Sequence, residues 1–246
     1  MSIRSDGRAP IALISGANKG LGFAIARGLA RAGHHVLIGC RDIAQGNKAV
    51  AILCSEGGRA EALALDVADD TAIDIAAAVV RERFDRLDVL VNNAGVALDR
   101  QIGVSSLRTV MRDTFEVNVF DLACLTDAMT PLLARSAHPR IVNMASGLGS
   151  LALNSDPNHE FAKVKLSAYN TSKAGVTMLT VIYAARLRDR GIKVNAADPG
   201  FCATDLNGHS GYRSAEQGAV IAIKLATLDD DGPSGGFFDE TGPVPW

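Results

Sequence analysis

The chain has 246 residues, 48% of them hydrophobic, a length and composition that fit one α/β domain with a large core. Its 25 basic and 27 acidic residues nearly balance, so no concentrated positive surface is predicted for nucleic acid or anionic lipid. No apolar run reaches the roughly 18 residues expected of a membrane helix. We therefore predict a single domain over residues 1–246, with neither nucleic-acid nor membrane partners.

The cysteines and histidines give no sign of cross-links or metal. The four cysteines lack C-x-x-C spacing, which argues against a disulfide framework or a zinc site, and the five histidines lack paired metal-ligand spacing. Residues 1–10 are polar and do not resemble a signal peptide. We predict a cytoplasmic protein without a metal site.

Short apolar runs alternate with longer helical patterns from Ile11 onward, which is typical of repeated βαβ units around a parallel sheet. The predicted strands are 11–15, 35–39, 60–65, 87–91, 139–145, 192–198 and, more briefly, 236–238. The predicted helices are 21–32, 45–56, 71–83, 106–134, 168–190 and 214–227. The predicted fold is α/β: a doubly wound Rossmann-type domain with a parallel seven-stranded sheet flanked by helices.

A glycine-rich turn, SGANKGLG over residues 15–22, follows the first predicted strand. Glycines let the backbone turn tightly and approach a pyrophosphate, and a helix opening near Leu21 offers unpaired N–H groups and a positive dipole end. An ordinary strand-to-helix turn is the alternative interpretation. The strand before the turn and the helix after it favour a dinucleotide site.

The end of the second predicted strand bears on the choice between the two nicotinamide cofactors. Cys40 occupies the place where an acid would bind both ribose hydroxyls of NAD, and Arg41 follows it. An arginine can clamp a 2′-phosphate, and Lys19 adds a second cation, so NADP(H) is the predicted cofactor. In the alternative, Arg41 pairs with Asp42 or solvent, or Asp42 is itself the ribose acceptor.

Tyr169 and Lys173 stand four residues apart in a predicted helix and therefore share one face. An ammonium beside a phenol favours the ionised phenol and lowers its pKa, which makes the pair a candidate acid and base near neutral pH. A plain surface pair is the alternative.

These motifs, in order, resemble the short-chain dehydrogenase/reductase family over residues 11–238. Ser15 replaces threonine in the family's T-G-x-x-x-G-x-G motif, NNAG stands at 92–95 and P-G-x-x-x-T at 199–204. Asp66 and Val67 fall where family members contact adenine. The resemblance implies cofactor contacts by Gly16, Asn18, Lys19, Gly20, Leu21, Gly22, Arg41, Asp66, Val67, Asn93, Ala94, Gly95, Tyr169, Lys173, Pro199, Gly200 and Thr204.

The resemblance also implies a catalytic set of Asn118, Ser146, Tyr169 and Lys173. By analogy, Tyr169 gives a proton to the substrate oxygen and Ser146 hydrogen-bonds that oxygen. Lys173 would lower the pKa of Tyr169 and hold the nicotinamide ribose, and Asn118 would position a water that links Lys173 to solvent. The alternatives are that Asn118 braces its helix and that Ser146 caps a strand end.

The chain departs from the family pattern between Ser146 and Tyr169, where the interval of 23 residues is longer than usual. This insertion, near residues 147–166, is predicted to wall the substrate pocket or to cover an oligomer surface. With the glycine turn and Arg41, it resembles the carbonyl reductase branch.

The predicted function is NADPH-dependent reduction of an aldehyde or ketone to an alcohol, with a small carbonyl or alcohol compound as the binding partner. The alternatives are an alcohol or sterol dehydrogenase working oxidatively and a non-catalytic NADP-binding sensor. A homo-oligomer, either dimer or tetramer, and a monomer both remain open.

Overall fold

Seven parallel strands form one sheet in the computed structural model, which describes residues 9–246. They are β1 (Ile11–Ser15), β2 (His35–Cys40), β3 (Arg59–Ala64), β4 (Val89–Asn92), β5 (Arg140–Met144), β6 (Lys193–Ala197) and β7 (Phe237–Phe238). Their order across the sheet is β3-β2-β1-β4-β5-β6-β7. The predicted Rossmann-type fold is confirmed, and each strand lies within two residues of its predicted bounds.

Helices cover both faces of this sheet. They are α1 (Gly20–Arg31), α2 (Ile43–Ser55), α3 (Asp70–Phe84), α4 (Leu107–Phe115), α5 (Asp121–Leu133), α6 (Leu151–Ser155), α7 (Ser167–Arg186) and α8 (Ala215–Ala226). Because side chains alternate along a strand, Ala12 and Ile14 pack with α1, α2 and α8, while Ile11 and Leu13 pack with α3, α5 and α7. Burial on both faces explains why β1 is apolar throughout.

Two predicted helices are wrong in detail. The stretch 106–134 is not one helix, because α4 ends at Phe115 and a π-helical turn, Glu116–Phe120, separates it from α5. The helix predicted to end at 190 stops at Arg186, before a short 3-10 turn that Gly191 closes in the left-handed conformation at φ 69°. The first difference bears on the candidate site, because Asn118 lies on the π turn.

The insertion at 147–166 is folded against the carboxyl-terminal tail. It contains two 3-10 turns, Gly147–Gly149 and Glu160–Lys163, with α6 between them. The amide of Ala152 donates to the Trp246 carbonyl (2.8 Å), and the Ser150 hydroxyl donates to the Pro245 carbonyl (2.6 Å). The tail therefore fixes where the insertion lies.

Two remaining sequence predictions concern the start of the chain and membranes. The polar segment predicted over residues 1–10 lies mostly outside the described residues. None of the helices in residues 9–246 combines the length and hydropathy of a bilayer-spanning segment.

Candidate functional site

The carboxyl ends of the parallel strands meet at one edge of the sheet, and the strand order reverses between β1 and β4. Such a switch point is where open α/β sheets bind ligands. The segments that follow β1, β4, β5 and β6 carry most of the candidate residues. The fold therefore gathers at one edge motifs that are far apart in the sequence.

The glycine turn forms a cradle of bare backbone. Gly16 and Gly20 adopt left-handed φ values of 63° and 55°, which side chains disfavour. A Cβ on Gly22 would collide with the Gly16 carbonyl oxygen. No side chain caps α1, whose N-cap is Lys19, so its first N–H groups lie next to this cradle without a side-chain partner. This arrangement fits a phosphate group.

The NNAG turn after β4 is hydrogen-bonded to the glycine turn. The Ser15 hydroxyl accepts from the amides of Asn93 and Ala94, each at 3.0 Å. The Asn93 side-chain amide in return donates to the carbonyls of Ser15 (2.9 Å) and Gly16 (3.2 Å). Ser15 therefore supplies the hydroxyl that the motif's threonine would provide, and the two turns form one rigid floor.

At the end of β2, Arg41 is exposed, and no carboxylate among residues 9–246 forms an ion pair with it. Asp42 caps α2, because its Oδ1 accepts from the amides of Ala44 (2.9 Å) and Gln45 (3.2 Å). This cap makes α2 begin two residues before the prediction. Of the alternative interpretation, the pairing of Arg41 with Asp42 is absent, and Arg41 is instead exposed to solvent.

Lys19, the second predicted cation, is engaged in an ion pair with Asp205. Asp205 also contacts the ring of His209, with Oδ1 2.8 Å from Nε2. The methyl of Thr204 lies 3.8 Å from where a Cβ on Gly20 would stand. The loop after β6 thus reaches across to the glycine turn.

The residues after β3 lie on the other side of the switch point. Asp66 and Val67 are half-buried, and the Asp66 Oδ1 accepts from the Ala68 amide at 3.2 Å. The amide of Leu65 bonds the Cys40 carbonyl at 3.0 Å, which ties this segment to the end of β2. Asp66 therefore stands on the same edge of the sheet as Arg41.

Tyr169 and Lys173 lie inside the protein on α7, with exposed fractions of 9% and 6%. This burial excludes the alternative of a plain surface pair. The Lys173 ammonium donates to the Met144 carbonyl (2.8 Å) at the end of β5 and lies 5.6 Å from the centre of the Tyr169 ring. Ser146, two residues further along, is half-buried and interacts through its hydroxyl with that of Tyr169.

Burial and charge set the protonation of this pair. The pKa of Tyr169 is raised above its ordinary value, first by burial and then by the Asp198 carboxylate, while the Ser146 hydroxyl acts in the opposite direction. Burial lowers the pKa of Lys173 to about 8, and Asp198 opposes that shift. The predicted lowering of the Tyr169 pKa is therefore not observed, because burial and Asp198 raise it and the Lys173 ammonium is directed to the Met144 carbonyl.

Asn118 is almost fully buried on the π turn, with 1% of its surface exposed. Its Oδ1 accepts from the Val96 amide (2.8 Å), and its Nδ2 donates to the Val96 carbonyl (2.9 Å) and the Ser172 hydroxyl (2.9 Å). The side chain therefore holds Val96, directly after the NNAG turn, against Ser172 of α7. This is a bracing role, as the alternative interpretation of Asn118 predicts. A Cβ on Gly95 would lie 3.2 Å from Asn118 Oδ1 and 3.6 Å from Lys173 Nζ, which places all three together.

Asp198, which precedes Pro199 and Gly200 at the end of β6, is a residue of the candidate site that the sequence motifs do not predict. It is 8% exposed, and its Oδ1 accepts from the Gly200 amide at 2.9 Å. The backbone of Gly147, next to Ser146, also bonds the carboxylate, while burial raises its pKa. The sequence does offer one sign of its role: an acidic residue stands at the end of a predicted strand, directly before the P-G-x-x-x-T motif.

The fold and the cradle define a dinucleotide-binding protein of the Rossmann type. The family model described as short chain dehydrogenase matches residues 10–214. The chain belongs to the short-chain dehydrogenase/reductase family and is an oxidoreductase that binds a nicotinamide cofactor.

Several relatives are similar along most of their length. The short-chain dehydrogenase anuI of Penicillium roqueforti is 39% identical over 224 residues, covering 89% of this chain and 88% of the relative. Salutaridine reductase of Papaver bracteatum is 31% identical over 292 residues, with 93% of each chain covered. The NADPH-bound carbonyl reductase from chicken fatty liver superposes with a TM-score of 0.83 at 27% identity, covering 97% of this chain and 100% of that one.

Proposed function

We propose that this chain reduces an aldehyde or ketone to an alcohol with NADPH, with Tyr169 as the proton donor. The observation that carries the proposal is the buried Tyr169, flanked by Ser146 and Lys173 on the sheet edge that also bears the phosphate cradle. Two similar proteins named salutaridine reductase and carbonyl reductase support reduction of a carbonyl group.

The cofactor proposal assigns each part of NADP(H) to one group of residues. The amino end of α1 and the bare glycine turn suit the pyrophosphate, and the unpaired Arg41 suits the 2′-phosphate. The NADP-bound solved relatives support the same choice. When bound, NADPH supplies the hydride. The proposed cofactor-binding residues are Gly16, Asn18, Lys19, Gly20, Leu21, Gly22, Arg41, Asp66, Val67, Asn93, Ala94, Gly95, Tyr169, Lys173, Pro199, Gly200 and Thr204.

The raised pKa of Tyr169 suits the reductive direction. A phenol that stays protonated at neutral pH is available as an acid, and the adjacent Ser146 hydroxyl can hydrogen-bond the same substrate oxygen. Lys173, with a pKa of about 8, is mostly charged at neutral pH and would stabilise the phenolate that remains after the transfer. For Asn118 we retain the proposal that it positions a water linking Lys173 to solvent, supported by their proximity.

A panel of small and bulky aldehydes and ketones tests the proposal by following NADPH consumption. Tyr169→Phe should lower kcat by roughly 10²- to 10⁴-fold, because the proton donor is lost, and should leave NADPH binding largely intact, because the other proposed cofactor contacts remain. Tyr183→Phe is the matched control, since Tyr183 lies on the same helix but donates to Ala123 and Asp127 away from the site.

The outcomes separate the competing functions. Near-normal turnover by Tyr169→Phe would contradict the assigned mechanism. Turnover of alcohols with NADP⁺ but of no carbonyl compound with NADPH would favour an oxidative dehydrogenase. Tight NADPH binding without any turnover in either direction would favour a sensor.

A further inference from the structure

The helix that carries Tyr169 has no cap of its own. Leu166 occupies the N-cap position of α7 and offers no side-chain hydrogen bond. The first N–H groups of a helix lack partners within the helix, and buried ones require partners elsewhere. In α7 these groups belong to the turn that holds Tyr169, so whatever binds them also positions the proposed proton donor.

The partner is Asp99, about 70 residues earlier in the chain. Its Oδ1 accepts from the Ala168 amide at 2.8 Å, and its Oδ2 accepts from the amide of Tyr169 itself at 3.0 Å. Both carboxylate oxygens are thus used on two successive N–H groups. The negative charge also faces the positive end of the helix dipole, which makes these hydrogen bonds favourable.

Asp99 is buried although the chain beyond it is exposed. Only 9% of its surface is accessible, whereas the residues that follow, from Arg100 to Gly103, are exposed. A buried carboxylate is costly unless it is hydrogen-bonded, and here the two amides of α7 supply one hydrogen bond to each oxygen. The α7 contact therefore accounts for the position of Asp99.

The cap of α7 differs from those of the other helices in where the capping residue lies in the sequence. Several helices are capped by the residue directly before them, which stabilises a helix without fixing it to another segment. These local caps are Asp42 for α2, Asp69 for α3, Ser106 for α4 and Ser214 for α8. The Asp99 cap instead spans two segments, because Asp99 follows the NNAG turn by four residues.

We infer that Asp99 is a positioning residue, which fixes the first turn of α7, and with it Tyr169, relative to the NNAG turn on the cofactor side. The inference rests on the proposed function. A reacting group displaced by about 1 Å can cost a factor of about 100 in rate, so loss of this cap should affect turnover far more than cofactor affinity.

The test compares Asp99→Ala with Asp69→Ala, which removes a carboxylate cap from a helix without candidate catalytic residues. With the best carbonyl substrate, Asp99→Ala should lower kcat by roughly 10- to 100-fold, with the KM for NADPH changed less than about threefold. Asp69→Ala should lower thermal stability by a similar amount with near-normal kcat. Asp99→Asn keeps one acceptor oxygen and should recover part of the lost kcat.

Amide hydrogen exchange provides a measurement independent of turnover. Exchange at Ala168 and Tyr169 should accelerate in Asp99→Ala, while the later turns of α7 keep their protection. A kcat equal to that of Asp69→Ala, or unchanged exchange at both amides, would overturn the inference. An inactive wild-type protein whose amides respond as expected would instead count against the proposed function and leave the Asp99 contact supported.

Discussion

Tyr169 and Lys173 share the charged neighbour Asp198, which acts on the pKa of both groups in addition to burial. The Asp198 carboxylate raises the pKa of both groups, because a negative charge disfavours the phenolate and favours the ammonium. For Tyr169 this adds to the effect of burial, whereas for Lys173 it opposes burial. A single substitution should therefore move both pKa values in the same direction.

Asp198→Asn should shift the pH dependence of activity to lower pH. Without the negative charge the pKa of Tyr169 falls, so the phenol loses its proton at lower pH. The pKa of Lys173 falls below its present value of about 8. Reduction needs the protonated phenol, so its decline with rising pH should begin earlier. Alcohol oxidation needs the phenolate, so its rise should also begin at lower pH. Profiles of kcat/KM against pH in both directions measure the shift.

Asp156→Asn is the control for this substitution, because Asp156 is an exposed acid on the insertion. Its profile should match that of the wild type, since solvent screens a distant exposed charge. A profile of Asp198→Asn that stays in place or moves to higher pH would show that this carboxylate does not act on the pair.

At the scale of elements, the insertion places one aromatic ring, that of Phe161, beside the candidate site. Phe161, on the turn Glu160–Lys163, packs so closely against Gly147 that a Cβ there would collide with the ring. The Asp198 Oδ2 lies 2.8 Å from the same point. His159 packs edge-on against Phe161, with ring centres 4.7 Å apart. Phe161 therefore closes the space beside Ser146.

Phe161→Ala should widen the substrate pocket. We expect a lower KM for bulky ketones and an unchanged KM for small ones, because only large substrates use the added space. Phe161 is half-buried, so the loss of stability should stay below the roughly 3–5 kcal/mol of a fully buried Phe→Ala change. Steady-state kinetics on paired substrates of different size measure the effect.

Leu151→Ala supplies the comparison, since Leu151 lies on the same insertion but is 71% exposed. It should leave both KM values unchanged. Equal KM changes for small and bulky substrates in Phe161→Ala would exclude a steric role for the ring.

The elements of this chain were predictable where the signal is local. The hydrophobic periodicity of the sequence was sufficient to locate the strands. The π turn within 106–134 was not predictable in this way, because residues 116–120 contain no glycine or proline that would indicate a break in the helix. That turn positions the side chain of Asn118, which is hydrogen-bonded to Val96 and Ser172. Hydrogen bonds between residues far apart in the sequence produce no periodic pattern from which they could be predicted. The same applies to the Asp99 cap of α7.

At the scale of the whole molecule, the βαβ rhythm was sufficient to predict the sheet, since right-handed crossovers leave few topologies. Motif order also predicted which residues gather at the carboxyl edge. The direction of the Tyr169 pKa was not predictable, because it depends on burial and on Asp198, which the fold brings in from another strand. The predicted lowering of this pKa depends only on Lys173, four residues away in the sequence.

Cofactor preference should appear in the stability of the whole protein. A ligand at 100 times its Kd stabilises the folded state by about 2.7 kcal/mol, so equal concentrations of NADPH and NADH should raise the Tm unequally. Arg41→Ala should weaken NADPH binding by roughly 10- to 100-fold, the equivalent of about 1.5–3 kcal/mol for hydrogen bonds to a charged group. NADH binding should be unaffected, and thermal melts with each cofactor measure both effects.

Arg59→Ala is the matched control, because Arg59 is an exposed arginine at the opposite end of the sheet, where β3 begins. It should retain the larger Tm shift with NADPH. A wild-type protein that NADH stabilises at least as strongly as NADPH would show that Arg41 does not select the phosphorylated cofactor.

The π turn also limits how the chain can vary in length. A π turn holds one residue more than a regular helical path, so a one-residue deletion within Glu116–Phe120 would convert the stretch to continuous α-helix. Because the π turn absorbs this one extra residue, α4 and α5 would keep their orientations after the deletion, and Leu125 and Met129 would stay in the core. The deletion would instead displace Asn118, so residue number at this turn is fixed by the hydrogen bonds of Asn118 to Val96 and Ser172.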